Sequence, residues 1–249
     1  MAKIYRTPVG YVVEDDGIYR VLEGDLFGQW HAGAEVAAPE TVLSPVVPSK
    51  IVCIGLNYKD HAAEQGKPLP AEPLLFLKPS SAVIDPGEAI ELPDGVGRVD
   101  YEAELAVVIG RRATKVSEDV ALSHVLGLTC MNDVTARDLQ KKDGRYTLAK
   151  GIDTFAPLGP CIATGLTADD LDVTGLVNGE VRQQSSTREL IFPVATLIAY
   201  ISRIMTLLPG DVVSTGTPAG IGPLQAGDEI VVRVQGVGDL RNSVRRSHP

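Results

Sequence analysis

The chain has 249 residues and a formal net charge of −9, with 44% hydrophobic and 22% charged residues. That length buries one full core with room for a small accessory unit, but not two full-sized enzyme domains, and the composition is that of an ordinary globular protein. No segment approaches the ~18 consecutive apolar residues of a membrane span, and the opening MAKIYRTPVGYVVEDDG has no apolar core of a secretion signal. The negative charge is spread along the chain with no basic stripe to neutralise phosphates, which argues against a nucleic-acid partner. Cys53, Cys130 and Cys161 lie in apolar runs without zinc-knuckle spacing and read as buried thiols of a protein in a reducing cytoplasm.

In chain order, Gly10 to Val13 and Ile18 to Leu22 are β-like runs around Asp15, Asp16 and Gly17, which predicts a small β domain over residues 1–46. A Pro-rich passage from Pro39 to Pro48 leads into SKIVCIGLNY, where the main domain, residues 47–249, begins. Short β runs follow at Lys50 to Ile54, Leu74 to Leu77, Tyr101 to Ile109, Leu126 to Met131, Asp211 to Ser214 and Glu229 to Val234, with a hairpin at Asn178-Gly179. Two helices are predicted. One covers Glu118 to His124 with Ser117 as its cap. The other is opened by Pro193 and carries Val194, Leu197, Ile198, Ile201, Met205 and Leu208 as an apolar stripe. Many short strands, with few helices that do not alternate with them, give an α+β, mainly β fold rather than a doubly wound sheet.

The chemistry concentrates in VDYEAELAVVIG. Residues two apart on a strand share a face, so Glu102 and Glu104 converge, with Cα atoms ~7 Å apart. An isolated E-x-E is most often a solvated strand face. Here a third carboxylate, Asp133, ends another apolar run in GLTCMNDVTARDLQ, and three carboxylates at strand ends form an oxygen-rich site suited to Mg²⁺, Mn²⁺ or Ca²⁺. A helical turn after Asp133 sets Arg137 and Gln140 on one face at i, i+3, within reach of a substrate carboxylate or carbonyl. An ordinary salt bridge of Arg137 with Asp138 or Glu104 is the competing reading.

IGLNYKDHAAE, PLLFLKPSSAV, DYEAELAVVIG, MNDVTARDLQ, AKGIDTFAPLGP and TGTPAGIG follow one another in an order and spacing that resemble the fumarylacetoacetate hydrolase family over about residues 50 to 245. The resemblance implies that family's mixed β-roll fold with the 47–249 part catalytic, and a homodimer. It also implies Mg²⁺ or Mn²⁺ on Glu102, Glu104 and Asp133, and substrate contacts from Arg137, Gln140, Lys150 and Thr217. The similarity is to compact single-module members, and Ile152 departs from the aromatic or small residue of many relatives.

His61 and Glu64 lie at i, i+3, so one helical turn sets imidazole and carboxylate side by side, an arrangement suited to a general base near neutral pH. A lone histidine is more often structural, but a His-x-x-Glu pair on a mobile lid is what the resemblance implies for a catalytic dyad. Lys150 reads either as a surface lysine or as a fixed cation opposite the substrate, and its family position selects the catalytic alternative. The glycines of STGTPAGIGP permit tight turns and exposed backbone donors, which with Thr217 can hold a carboxylate. Lys78 is a further candidate facing the site. No phosphate-loop, dinucleotide, nucleophile-elbow or H-E-x-x-H motif is present.

The implied activity is that of a metal-dependent enzyme on small 2-oxo or β-diketo acids. The leading expectation is C–C hydrolysis of the acylpyruvate or fumarylpyruvate type, with oxaloacetate decarboxylation beside it. The alternatives are isomerisation of 2-hydroxyhepta-2,4-diene-1,7-dioate or 5-carboxymethyl-2-hydroxymuconate, as in aromatic catabolism, and non-catalytic binding of a 2-oxo acid.

Overall fold

The segment AELAVVI, Ala103–Ile109, is buried at all seven positions, because both faces of its sheet are covered. Ala103, Leu105, Val107 and Ile109 belong to one apolar cluster and Ala106 and Val108 to another on the opposite face. β-branched and aliphatic side chains suit such a doubly buried strand. In the computed structural model of the protein, residues 1–144 and 146–247 are described. Arg145 and the end of the expected main domain, His248 and Pro249, lie outside them. No helix among the described residues is long and apolar enough to cross a membrane.

The described residues form an 11-stranded, a 5-stranded and a 3-stranded sheet. In the largest, Ala103–Ile109 lies between Val125–Asn132 and Val212–Ser214, both antiparallel to it. Val212–Ser214 then pairs in parallel with Ile51–Gly55, which pairs antiparallel with the edge strand Leu74–Lys78. On the other side Val125–Asn132 meets Ala156–Ala163, a strand hidden in the sequence by its Gly and Pro residues. Lys3–Thr7 pairs with Ala156–Ala163, so the first four strands, ending at Trp30–Val36, continue this sheet.

The 5-stranded sheet is built on the Asp172–Val177 and Glu180–Ser186 hairpin expected at Asn178-Gly179, and its Val173, Val232, Val234 and Leu240 close over the first cluster. The third sheet joins Thr135–Ala136, Val99–Tyr101 and Gly222–Pro223. This small sheet ties together the segments that flank Asp133, Glu102 and the TGTPAGIG loop. The architecture is therefore α+β and mainly β, as the run pattern implies.

Three local expectations need correction. The run from Tyr101 to Ile109 is not one strand, because it breaks at Glu102 between Val99–Tyr101 and Ala103–Ile109. Ser117 stands at the N-cap of Glu118–Ala121 without a side-chain cap hydrogen bond, and a 3-10 turn, Leu122–His124, completes that segment. The Pro193 helix, Val194–Ile204, buries Val194, Leu197, Ile198 and Ile201, but Met205 is already extended and Leu208 lies beyond the helix and exposed. Met205 still packs against the core cluster after the helix has ended, whereas beyond it Leu207 rather than Leu208 is buried. Ile152 is partly buried against the cluster around Phe155, a packing position.

Candidate active site

Glu102 and Glu104 leave the chain on either side of Ala103, whose register partner across the sheet is Asn132. That register sets Asp133 opposite Glu102, and Asp133 N donates to Glu102 O at 2.9 Å. Residues opposite each other on paired strands present side chains to the same face, so carboxylates 31 residues apart meet. One oxygen from each of Glu102, Glu104 and Asp133 lies within 4.8 Å of the other two, and all three residues are buried.

Basic side chains surround this triad. Lys150, from the short helix Thr147–Lys150, donates through Nζ to Glu102 Oε2 at 2.9 Å and also to Asp133 Oδ2. Arg137 opens the helix Arg137–Asp143 and donates from Nη2 to Glu102 Oε1 at 2.6 Å, from Nε to Asp100 Oδ2 at 2.7 Å, and from Nη1 to Gln140 Oε1 at 2.9 Å. The salt bridge read as the alternative for Arg137 thus exists, with Asp100 and Glu102 rather than Asp138 or Glu104. Glu104 differs from its neighbours. Its Oε2 accepts from the Ser214 hydroxyl and from Gly216 N at 3.0 Å, and among the described residues no cationic side chain pairs with it.

The electrostatics follow from these partners. Burial pushes the Glu102 carboxyl up, but Lys150 and Arg137 outweigh it and hold it down at about 2. Burial also pushes Glu104 up, and the neighbouring Asp133 and Glu102 add to the effect, so it stands well above the usual carboxylate range. Burial works against the charged form of Lys150, yet Asp133 and Glu102 keep it above its ordinary value. Three converging hard oxygen donors, one with no cationic hydrogen-bond partner among the described residues, fit a hard divalent cation, because such a charge removes the repulsion that raises Glu104. Burial pushes all three cysteine thiols up as well, and none is in a disulfide, which suits inert core thiols.

The second chemical element is a His–Glu pair. Lys59–Glu64 is a short helix in which His61 Nδ1 lies 2.9 Å from Glu64 Oε2, and Glu64 Oε1 accepts from Gly220 N at 3.0 Å. Apart from Glu64 and Lys78, every residue singled out from the sequence lines one cavity of about 480 Å³: His61, Glu102, Glu104, Asp133, Arg137, Gln140, Lys150 and Thr217. Glu64 stands behind His61. Lys78 stands behind Asp133, fully buried, donating to Asp133 Oδ1 at 2.6 Å and Val134 O at 3.1 Å.

The TGTPAGIG loop behaves differently from its reading as a substrate-carboxylate cradle. Its backbone donors at Gly216 and Gly220 hold the protein's own Glu104 and Glu64. Both positions need glycine: φ is +97° at Gly216, and at Gly220 a Cβ would stand 2.1 Å from Arg182 O. Thr217 donates to Ala103 O at 2.9 Å and accepts from Gln183 Nε2 at 2.8 Å.

Asp100, Asn132, Gln183, Ser214 and Gln65 are site residues that sequence reasoning did not single out. Asn132 Oδ1 accepts from Glu102 N at 3.0 Å and Gln183 Oε1 from Ala103 N at 2.9 Å, so both hold the backbone at the strand break. Asp100 carried a legible signal, since it extends the two-residue alternation of Glu102 and Glu104.

Buried oxygen donors, basic groups on their flanks and a His–Glu pair over one cavity form a site of enzymatic type. A model described as fumarylacetoacetate (FAA) hydrolase C-terminal matches residues 50–245. The chain is 54% identical over 201 residues to an uncharacterized protein of Archaeoglobus fulgidus, a match spanning 81% of this chain and 80% of that one. It is 42% identical over 217 residues to a mitochondrial oxaloacetate tautomerase of Xenopus laevis, spanning 82% of this chain and 68% of that protein. A solved structure of 5-carboxymethyl-2-hydroxymuconate delta-isomerase from Mycobacterium smegmatis superposes with a TM-score of 0.89 at 40% identity, over 99% of this chain and 100% of that one. The chain belongs to the fumarylacetoacetate hydrolase family, a family of enzymes.

Proposed function

We propose that this enzyme isomerises a small 2-oxo acid by proton transfer at His61, in a site that also takes a divalent cation. The observation that carries the reading is the His61–Glu64 pair, in which His61 opens onto the same cavity as Glu102, Glu104 and Asp133. Support also comes from relatives named for keto–enol exchange and for double-bond isomerisation. Both reactions move a proton on the carbon skeleton of an acid next to a carbonyl.

Glu102, Glu104 and Asp133 are the residues that would hold the ion, with Mg²⁺ or Mn²⁺ as the proposed cation. When bound, a divalent cation supplies Lewis-acid stabilisation of the negative charge that develops on a 2-oxo group. Arg137 and Lys150 place positive charge on the cavity wall, where it attracts and orients an anionic substrate in a protein of net charge −9. Gln140 accepts from Arg137 through Oε1, so its amide nitrogen remains a donor for a substrate oxygen. The imidazole takes a proton from one atom of the substrate, an enol oxygen or a carbon, and returns it to another, and Glu64 stabilises the charged ring in between. Every cavity-lining residue lies at position 54 or later, so we assign catalysis to residues 47–249 and treat residues 1–46 as a β extension. A homodimer is part of the same reading.

The test is a panel in Mg²⁺ with oxaloacetate, a hydroxymuconate, acetylpyruvate and fumarylpyruvate, following enol absorbance, released CO₂ and cleaved acid separately. Loss of enol absorbance without CO₂ or cleavage products is the expected result. Stoichiometric release of pyruvate and an acid from the acylpyruvates, with no faster isomerisation, would instead establish C–C hydrolysis.

A further inference from the structure

Gln65 follows His61 by four residues, one turn along the same helical path, so its side chain reaches the imidazole. Both ring nitrogens of His61 are engaged: Nδ1 with Glu64 Oε2 at 2.9 Å, and Nε2 with the Gln65 amide nitrogen at 2.7 Å. A carboxylate only accepts hydrogen bonds, so Nδ1 carries the proton and Nε2 keeps its lone pair. An amide NH₂ only donates, and it fits that lone pair. Little else about the ring is adjustable. Gly220 N holds Glu64, Asp60 Oδ1 accepts from His61 N at 2.7 Å, and the second Asp60 oxygen accepts from the Ser185 hydroxyl.

We propose that Gln65 is the positioning residue of the proton-transfer dyad: its amide holds the ring in the tautomer that leaves Nε2 as the proton-accepting atom, and gives up that nitrogen when substrate enters. This rests on the acid–base role of His61 proposed above. Gln65 is exposed and also lines the cavity, so its side chain can move aside without opening the core. The amide is an uncharged donor, and it occupies on Nε2 the place that a substrate proton would take.

A hydrogen bond donated to the neutral ring disfavours the charged form, so removing the donor should ease protonation of the ring. Glu64 contacts the ring and Asp60 the His61 backbone from its own helix, and the other charged groups lining the cavity with the ring are Glu102, Glu104, Asp133, Arg137, Lys141, Lys150 and Lys67. Gln65→Met is uncharged and of similar length, so it leaves all of these in place and removes the amide alone. Gln65→Glu replaces the donor by an anionic acceptor.

The experiment measures the His61 ring titration by proton NMR in the Mg²⁺-loaded enzyme, with the signal assigned by its loss in His61→Asn. The pH profile of kcat/KM is measured in parallel for the wild type, Gln65→Met and Gln65→Glu. In Gln65→Met both the titration and the acidic limb of the profile move up by about 0.5–1 pH unit, the equivalent of one ordinary hydrogen bond, and Gln65→Glu moves them further. An unmoved or lowered His61 titration in Gln65→Met overturns the proposal while leaving His61 as the base. A titration that rises while the pH profile stays in place overturns the acid–base role of His61, and this role of Gln65 falls with it.

Discussion

Lys78 offers a direct test of how the carboxylate cluster is balanced. Its side chain has no exposed surface, and its partner Asp133 is 1% exposed. Replacing Lys78 by Met keeps the length of the stem and removes the charge, which leaves Asp133 with Lys150 as its remaining basic partner. Deleting one member of a buried ion pair costs ~3–5 kcal/mol, and the surviving Lys150 contact sets the expectation at the lower end, ~3 kcal/mol. For a chain of 249 residues that corresponds to a fall of ~6–12 °C in Tm, at ~2–4 °C per kcal/mol.

The size of the fall is expected to depend on metal. The proposed divalent cation on Glu102, Glu104 and Asp133 would take over the compensation of Asp133, so the deficit is expected to shrink when Mg²⁺ saturates the site. By linkage the variant must then bind Mg²⁺ more tightly than the wild type, about tenfold for each ~1.4 kcal/mol recovered. Urea and thermal unfolding followed by circular dichroism, in chelator and in excess Mg²⁺, measure the first quantity. Calorimetric titration of Mg²⁺ measures the second. A Lys78→Met protein that unfolds like the wild type in chelator refutes the buried-pair account. An equal deficit with and without Mg²⁺ refutes the placing of the cation beside Asp133.

Removal of metal by chelator is expected to abolish turnover reversibly, and Glu104→Ala or Asp133→Ala to weaken Mg²⁺ binding in calorimetry; normal binding by either variant removes that residue from the ligand set. His61→Ala is expected to lose ~10²- to 10⁴-fold in kcat while binding oxalate as the wild type does, and near-normal turnover across the substrate panel would make the histidine structural. Gly220→Ala pushes a Cβ against Arg182 O and displaces the backbone donor on Glu64. It should therefore lower both Tm and kcat, whereas a fully active variant would show that Glu64 needs no such anchor.

The sequence by itself determined what depends on short spacing. Alternation at two residues placed Glu102 and Glu104 together, the i, i+3 spacing placed His61 against Glu64 and Arg137 beside Gln140, and the Asn178-Gly179 pair placed a hairpin. In each case the chain between the partners is too short to do otherwise once its local conformation is known. What only the tertiary structure decided involves partners far apart in the chain. The Ala103–Asn132 register puts Asp133 opposite Glu102, Arg137 chooses Asp100 and Glu102 over nearer carboxylates, and the first four strands extend the main sheet through Ala156–Ala163. The TGTPAGIG loop turns its amides onto Glu104 and Glu64, 112 and 156 residues away. Such contacts are set by strand pairing and by the need to satisfy every buried polar group, and those depend on the whole packed arrangement rather than on any local pattern of residues.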